Sequence, residues 1–464
     1  MGGRNPWGVA LTTMTRRFWV ETLGCPKNQV DSDKLTGTLL ADGLVPAGSA
    51  DEADLVVVNT CAFIDAARQE SVDTILNLSD ARADGARLVV TGCMAERHGD
   101  ELAEAIPEVD AVAGFGVSLL GALRDGGAEQ PTSDTVTLTL GPTRRRAEMA
   151  ATTDVPVFDL LNLPRPPSTS PWAYVKVAEG CDRACGFCAI PSFRGPQRSR
   201  SVGDILREVD ELQASEIVLV AQDLASFGRD QGQGERSLVP LLAQVAGRVE
   251  RVRLLYLYPS DLTDSLVEAV LATGVPYFDL SLQHVSAPLL RKMRRWGNGD
   301  KFLQRIADIR AAAPDAAFRS NMIVGYPGET EADHDELLAF LDEAQLDWCG
   351  FFSYSEEDGT YAADLPDKVP AELVRERLAE VGELQDGITA RRRDALLGTT
   401  TKVLVDAPGV ARSFREAPEI DGIIAVPVDL AVGSLVDVEI VGALGPDLEA
   451  ITVDAAVGAA GSSS

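Results

Sequence analysis

The stretch Cys181-Asp182-Arg183-Ala184-Cys185-Gly186-Phe187-Cys188 places three thiols within eight residues, spaced C-x3-C-x2-C. A [4Fe-4S] cluster takes thiolate ligands from a loop that can fold around it, ordinarily four of them. Three ligands leave one iron open. An open coordination position separates a catalytic metal centre from a structural one, as zinc sites illustrate. Two blander readings compete. Three reduced cysteines can be neighbours by chance. A zinc site needs a fourth ligand, but the three histidines, His98, His284 and His334, all lie far along the chain from this loop.

Around the loop, strand and helix alternate. Strand candidates are Trp172–Ala178, Glu216–Ala221, Arg251–Tyr258, Tyr277–Leu282, Phe318–Val324 and Trp348–Tyr354, with helical stretches such as Val202–Leu212, Leu238–Val245, Leu262–Leu271 and Ala332–Ala344 between them. Six βα repeats predict a parallel sheet with right-handed crossovers, and a curved, incomplete (β/α)6 barrel fits them. Active groups in such folds sit on loops at the C-terminal ends of strands, and the cysteine loop follows the first strand. Gln222 and Asp223 follow the second strand, Gln283 and His284 the fourth, and Gly325-Tyr326-Pro327-Gly328-Glu329 the fifth. The glycines allow close backbone approach to a ligand. Each of these residues reads equally well as a strand cap or turn, and His284 better as a packed or hydrogen-bonded side chain. Arg319, on the fifth strand, reads either as a ligand contact or as a structural ion pair. From Pro370 to about Leu397 the apolar stripe Val374, Leu378, Val381, Leu384, Ile388 predicts a long helix packed on the barrel.

The N-terminal third repeats strand, Cys, helix. Phe18–Leu23 leads to Gly24-Cys25, Asp54–Thr60 to Cys61, and Arg87–Thr91 to Gly92-Cys93, with helical segments at Asp31–Ala41, Ile64–Leu78 and after Met94. Unbroken Val and Leu runs suit parallel strands buried on both faces. The cysteines are 36 and 32 residues apart, about the length of one βαβ unit. Parallel strands end on one edge of their sheet, so Cys25, Cys61 and Cys93 are expected to converge into a second three-thiol site. Three independent buried or loop cysteines are the alternative. Cys349 fits neither trio and reads as a buried thiol.

The 464 residues predict several domains: a disordered extension over 1–17, an α/β domain over 18–148, a linker over 149–171, the barrel domain over 172–398, and a small OB-like β-barrel over 399–464 with a disordered end from Ala459. Arg144-Arg145-Arg146 and the proline-rich run Pro164–Pro171 mark the linker, and the arginine run reads first as solvated. The composition, 45% hydrophobic and 24% charged, is that of a globular chain with no apolar run long enough to span a bilayer. Seven cysteines, an odd number, point to metal ligation in a reducing cytosol rather than to disulfides. The net charge of −29 repels nucleic acid and favours a basic partner, though a general acidic bias gives the same number. The tail sharpens the point. From residue 401 on, Lys402, Arg412 and Arg415 face ten acids, where an RNA surface needs clustered cations.

The three-cysteine spacing with Phe187 before its last member resembles the radical S-adenosylmethionine (SAM) enzymes. The whole of residues 18–455 resembles the methylthiotransferases, with a three-Cys domain before the radical SAM barrel and a TRAM-like β-barrel after it. Gly180-Cys181, Ile190–Gly195, Leu282-Gln283-His284-Val285-Ser286, Gly325–Thr330 and Arg412–Gly422 are similar to the branch that modifies an aspartate of small-subunit ribosomal protein twelve. The branch that modifies a tRNA adenosine is the competing match. It typically carries Gln-Ser-Gly at Gln283 and lacks the Ala417–Gly422 run. The N-terminal extension and Trp296-Gly297-Asn298 depart from the expected pattern.

The resemblance implies that Cys181, Cys185 and Cys188 hold a SAM-cleaving [4Fe-4S] cluster and that Cys25, Cys61 and Cys93 hold an auxiliary one that delivers the methylated sulfur. It implies that Phe187 lies near the adenine of SAM, and by their places on the barrel strands Gln222, Asp223, Gln283, Arg319, Gly325 and Glu329 are the candidates to grip SAM. A 5′-deoxyadenosyl radical then takes hydrogen from the aspartate β-carbon, and a second SAM supplies the methyl group. A reducing electron donor and a sulfur donor complete the expected partners, with no membrane and no RNA.

Overall fold

The structure, a computed structural model, describes residues 16–117, 119, 159–231 and 238–453. Most of the expected N-terminal extension, the Arg144–Arg146 run and the Ala459–Ser464 end lie outside the described residues. The chain divides into two compact units near residue 165.

The first unit is a parallel sheet. Its strands are β1 (Arg17–Thr22), β2 (Val45–Pro46), β3 (Leu55–Thr60), β4 (Arg87–Gly92) and β5 (Ala111–Ala113), in the order β2-β1-β3-β4-β5. Every residue of β3 is buried, as an unbroken Leu-Val-Val-Val run at the centre of a covered sheet requires. The helices are α1 (Pro26–Ala41), α2 (Asp65–Ala81) and α3 (Cys93–Ala105). Helix α1 starts five residues earlier than its hydrophobic pattern suggests. Pro26 sits in its first turn, where a missing N–H costs nothing and a fixed φ suits the helix. Part of the expected linker also packs here. Leu160 joins a core with Leu35 and Leu39, the Leu161 carbonyl accepts from Lys34 Nζ, and Arg165 pairs with Asp33 at 2.7 Å.

The second unit begins with β6 (Trp172–Lys176) and a short antiparallel pair, β7 (Ala178–Glu179) and β8 (Arg198–Ser199), which flanks the cysteine loop and α4 (Ile190–Arg194). Then come α5 (Val202–Leu212), β9 (Glu216–Val220), α6 (Leu238–Ala246), β10 (Arg251–Leu254), α7 (Asp264–Ala272) and β11 (Tyr277–Gln283). Two helices the sequence pattern did not single out follow, α8 (Ala287–Lys292) and α9 (Gly299–Ala312). The series ends with β12 (Ala317–Val324), α10 (Glu331–Ala344), β13 (Trp348–Ser353) and α11 (Ala371–Asp394). Strands β6, β9 and β10 pair in parallel, as do β11, β12 and β13, and the two halves meet at a Leu257–Leu280 bridge. This is the six-stranded open barrel, filled by residues such as Val175, Leu219, Phe278, Phe318 and Met322. On α11, Val381 and Ile388 are fully buried while Val374, Leu378 and Leu384 pack at the edge of the same core.

The tail closes into a five-stranded barrel of β14 (Thr400–Ala407), β15 (Val410–Arg412), β16 (Ile424–Ala425), β17 (Leu435–Leu444) and β18 (Asp447–Thr452), in the order β14-β15-β16-β18-β17. Between β15 and β16 the Arg412–Gly422 run lies against the N-terminal ends of the six-stranded barrel's strands. Tyr174 Oη donates to the Pro418 carbonyl (2.8 Å), Trp348 Nε1 to that of Arg415 (2.8 Å), and Tyr277 Oη to Asp421 (2.7 Å). Arg253, fully buried, bonds Glu216 (2.9 Å) and the Phe414 carbonyl (2.9 Å), while Arg412 returns to Glu216 (3.0 Å) and Arg251 donates to the Arg412 carbonyl (2.9 Å). The tail's two arginines are therefore interior ion-pair partners. Of its cations among the described residues, Lys402 alone faces solvent.

Burial by itself would raise the Glu216 carboxyl, but Arg412, Arg253 and Arg251 outweigh it and hold the group at about 2. Its ordinary value is 4.5, so its contribution is present above that pH and disappears as pH falls toward 2; the full shift is worth about 3 kcal/mol. Glu216→Gln strands the buried Arg253 guanidinium, leaves Arg412 with Asp406 as its remaining carboxylate, and is expected to cost about 3–5 kcal/mol at neutral pH. It should also flatten the loss of stability between pH 4.5 and 2. Guanidinium chloride titrations at pH 7 and pH 3 measure both effects.

Candidate functional site

The cysteine loop leaves β7 at Gly180, on the C-terminal side of the six-stranded barrel. Its start is fixed by Glu179, which accepts from Lys176 Nζ (2.7 Å), Arg194 Nη1 (2.9 Å) and Gln222 Nε2 (2.9 Å). Its middle is fixed at Gly186, whose N–H donates to the Met293 carbonyl and whose carbonyl accepts from Ala362, each at 2.8 Å. A Cβ on Gly186 would lie 3.1 Å from the Lys292 carbonyl, Tyr326 Oη and Tyr361 together, which explains the glycine. Arg183, inside the loop, reaches outward to Asp223 (2.6 Å) and to Asp261, and stacks 3.9 Å over Tyr258.

N–H groups point at the sulfurs. The Arg183 amide donates to Cys181 Sγ and Arg295 Nη1 to Cys185 Sγ, both at 3.4 Å. Burial pushes the Cys181 thiol up to about 11 and the Cys188 thiol up to about 12, and the neighbouring Cys185 adds to both. Ligation at neutral pH must therefore displace protons. Among the described residues, no three His, Cys, Asp or Glu side chains close around a point as one metal ion would need. The donor set is three thiols on one short loop with N–H groups aimed at the sulfurs, which suits a sulfur-rich cluster.

The expected SAM contacts divide by location. Phe187 packs half-buried at the edge of the barrel core. Gln222 gives its amide N–H to Glu179, while its Oε1 is buried without a hydrogen-bond partner. Tyr354 Oη, just past β13, and both polar atoms of the Gln197 side chain, beside the cysteine loop, are buried and partnerless in the same way. A buried polar atom left alone costs about 1–3 kcal/mol, so these groups fit a polar ligand at the strand ends. Gln283 ends β11 after a register shift, with its backbone at φ 72°, the left-handed conformation that non-glycine residues adopt rarely and often at functional sites. His284 is wholly buried, its Nδ1 accepts from the Ser286 amide, and burial lowers it to about 4, so it is a neutral packed residue.

Three residues expected at the cofactor are committed elsewhere. Arg319 lies in the N-terminal half of β12, where it pairs with Asp279 (3.2 Å) and the tail's Asp421 (3.4 Å), on the far side of the barrel from the cysteines. Glu329 folds back to accept from the Gly325 and Tyr326 amides and pairs with Arg377 (2.9 Å), so it closes its own turn. Asp223 anchors the cysteine loop through Arg183 and Ser226. Gly325 has φ 82° and a Cβ there would meet Val374 at 2.5 Å, so close packing of α11 already demands glycine. Glu179, Arg183, Arg295 and Tyr258 escaped the sequence reading. The one available signal was two arginines placed against sulfur ligands, and nothing in their spacing marks that.

In the first unit, Cys25, Cys61 and Cys93 follow β1, β3 and β4, three adjacent strands, with Thr22 beside Asn59 and Thr60 beside Gly92 in register. Asn28 ties the three ends together. Its Nδ2 donates to the carbonyls of Leu23 (2.9 Å) and Thr60 (3.0 Å), and its Oδ1 lies 3.6 Å from Cys93 Sγ. Gly24, at φ 92°, brings the backbone against Cys61, and a Cβ there would lie 2.8 Å from Cys61 Sγ. These cysteines gather at one sheet edge. Cys349 sits near the start of β13, away from the cysteine loop at the strands' other ends.

Comparison with known proteins places these features in context. Residues 17–114 match the uncharacterized protein family UPF0004, residues 175–341 the Radical SAM superfamily, and residues 397–453 the TRAM domain. The chain is 43% identical to the ribosomal protein uS12 methylthiotransferase RimO of Streptomyces coelicolor, over 94% of this chain and 96% of that one. It is 43% identical to the RimO protein of Frankia casuarinae (89% and 84% covered) and 42% to that of a Nocardioides species (92% and 95%). A solved structure of the cobalamin-dependent SAM radical enzyme OxsB aligns with a TM-score of 0.42 at 12% identity, covering 80% of this chain and 56% of that one, too loosely to argue from.

Gly24→Ala tests the gathered edge. The new Cβ meets Cys61 and the residue must hold a left-handed φ, so a loss of about 1–3 kcal/mol is expected. Urea unfolding followed by circular dichroism measures it, with the exposed Gly43→Ala, which meets nothing within 4 Å at a similar φ, separating backbone strain from the clash.

Proposed function

The chain belongs to the family of ribosomal protein uS12 methylthiotransferases, and on that premise we propose that it adds a methylthio group to the β-carbon of one aspartate of uS12. It is a radical SAM methylthiotransferase with a TRAM domain. Cys181, Cys185 and Cys188 would hold one [4Fe-4S] cluster, and Cys25, Cys61 and Cys93 a second. When bound, such clusters supply the electron that cleaves SAM for hydrogen abstraction and carry the sulfur to be inserted. The observation that carries the reading is the second trio, because SAM cleavage alone has no use for three more thiols on a separate sheet edge.

The protein's own side chains position and shield. Glu179 and Arg183 fix both arms of the cysteine loop, and Gly186 lets it close against Met293 and Ala362. Gln222, Gln197 and Tyr354 offer their partnerless atoms to SAM, and Phe187 and the Gly325 turn border it. The partner is a basic protein. The tail's surface is acidic because Arg412 and Arg415 face inward, which also disfavours RNA there. A low-potential electron donor and a sulfur donor are required, in a reducing cytoplasmic setting. No helix among the described residues is long and apolar enough to cross a membrane.

Anaerobically reconstituted protein, given SAM, dithionite, sulfide and uS12, should raise the mass of one uS12 aspartate by about 46 Da. Formation of 5′-deoxyadenosine with unmodified uS12 and methylthiolated tRNA would overturn the assignment. Replacing Cys25, Cys61 and Cys93 together by Ala should leave about half the iron, preserve SAM cleavage and abolish the mass increase. Iron analysis and mass spectrometry read this out.

A further inference from the structure

We propose that Arg295 sets the reduction potential of the cluster held by Cys181, Cys185 and Cys188, through its hydrogen bond to Cys185 Sγ and a positive charge that no carboxylate cancels. The inference rests on the reading that these three thiols hold a [4Fe-4S] cluster. Arg295 follows α8 in the run Arg291-Lys292-Met293-Arg294-Arg295, and three contacts hold its guanidinium. Nη1 donates to Cys185 Sγ at 3.4 Å, Nη2 donates to the Ser281 carbonyl near the end of β11, and the group stacks 4.2 Å over Tyr258.

Arg183 differs from Arg295 in its partners. Both guanidinium groups use the face of Tyr258. Arg183 is neutralised by Asp223 and Asp261, and Asp261 is shared with Arg229. Arg295 has no acidic partner among the described residues, although it is half-buried, where an uncompensated charge is costly. Its compensation must come from the thiolates. A [4Fe-4S] core of charge 2+ with three thiolates carries −1, and after uptake of one electron from a low-potential donor it carries −2, with no proton transferred. A fixed cation at the ligand sulfur therefore stabilises the reduced form more than the oxidised form, and hydrogen bonds to the sulfurs act in the same direction. Arg295 is thus a positioning and tuning residue that acts through Cys185.

The test uses the full chain with Cys25, Cys61 and Cys93 replaced by Ala, so that one cluster titrates. Iron and sulfide are measured first. A parent that holds no iron removes the reading on which the inference rests, and the inference with it. In a dithionite titration followed by electron paramagnetic resonance without SAM, Arg295→Gln at full iron content should be about tenfold harder to reduce. That corresponds to a midpoint about 59 mV more negative. Arg295→Lys keeps the charge without the fork held at Ser281 and should fall between the two. If the Gln variant loses iron, the Lys variant decides. Full iron with a parental midpoint in the variants overturns the proposal, as does a loss of SAM affinity by calorimetry at unchanged midpoint, which would make Arg295 a SAM contact instead.

Discussion

Parallel pairing makes every strand of a sheet finish on the same edge, and both thiol sites depend on that constraint. In the first unit it is sufficient. Three strands in register, each leading to a glycine or a threonine directly before a cysteine, bring together residues more than thirty positions apart, and Asn28 bonds the strand ends to one another. In the second unit the same constraint delivers only the place. The cysteine loop supplies its own ligands, and the other strand ends supply what holds the loop still: Gln222 and Asp223 after β9, and Ser281 on β11 through Arg295.

The barrel's opposite end is finished by charge rather than by oil. Glu216, Arg253, Arg412, Arg393 and Glu416 are almost entirely removed from solvent. Such a lattice contributes little over a packed apolar floor, yet it is costly to break from one side. What it adds is a fixed docking register, because each guanidinium must meet a particular carboxylate or carbonyl. The long helix α11 ends in the same lattice, where Arg393 meets Glu416 and stacks over Trp348. One end of the barrel is thereby rigid while the other carries partnerless polar groups.

Much of this was legible in the chain. The cysteine spacings, the valine-rich strands and the βα alternation are local patterns, and local patterns translate directly into elements. The six strands of the barrel fall where the apolar runs are, and α11 follows its stripe. Side-chain roles were less legible because their partners are remote in sequence. Arg319 looks like a ligand contact until Asp421, a hundred residues later, is seen beside it. Glu329 looks like a cofactor grip until its carboxylate is found on its own turn. Arg295 carries no spacing signal at all, since what distinguishes it from Arg294 is the left-handed backbone at Arg294, which turns the chain between them. Short strands such as β15 were missed because three residues leave no measurable period.

The Arg412–Gly422 run, so useful for telling one branch of these enzymes from another, sits in the interior. Its distinctiveness therefore records a fit to this particular barrel and not a surface shown to a partner. A tail of this kind is not a portable cassette. Grafted onto another barrel, it keeps these bonds only when Glu216, Arg251, Arg253, Tyr277 and Arg319 travel with it.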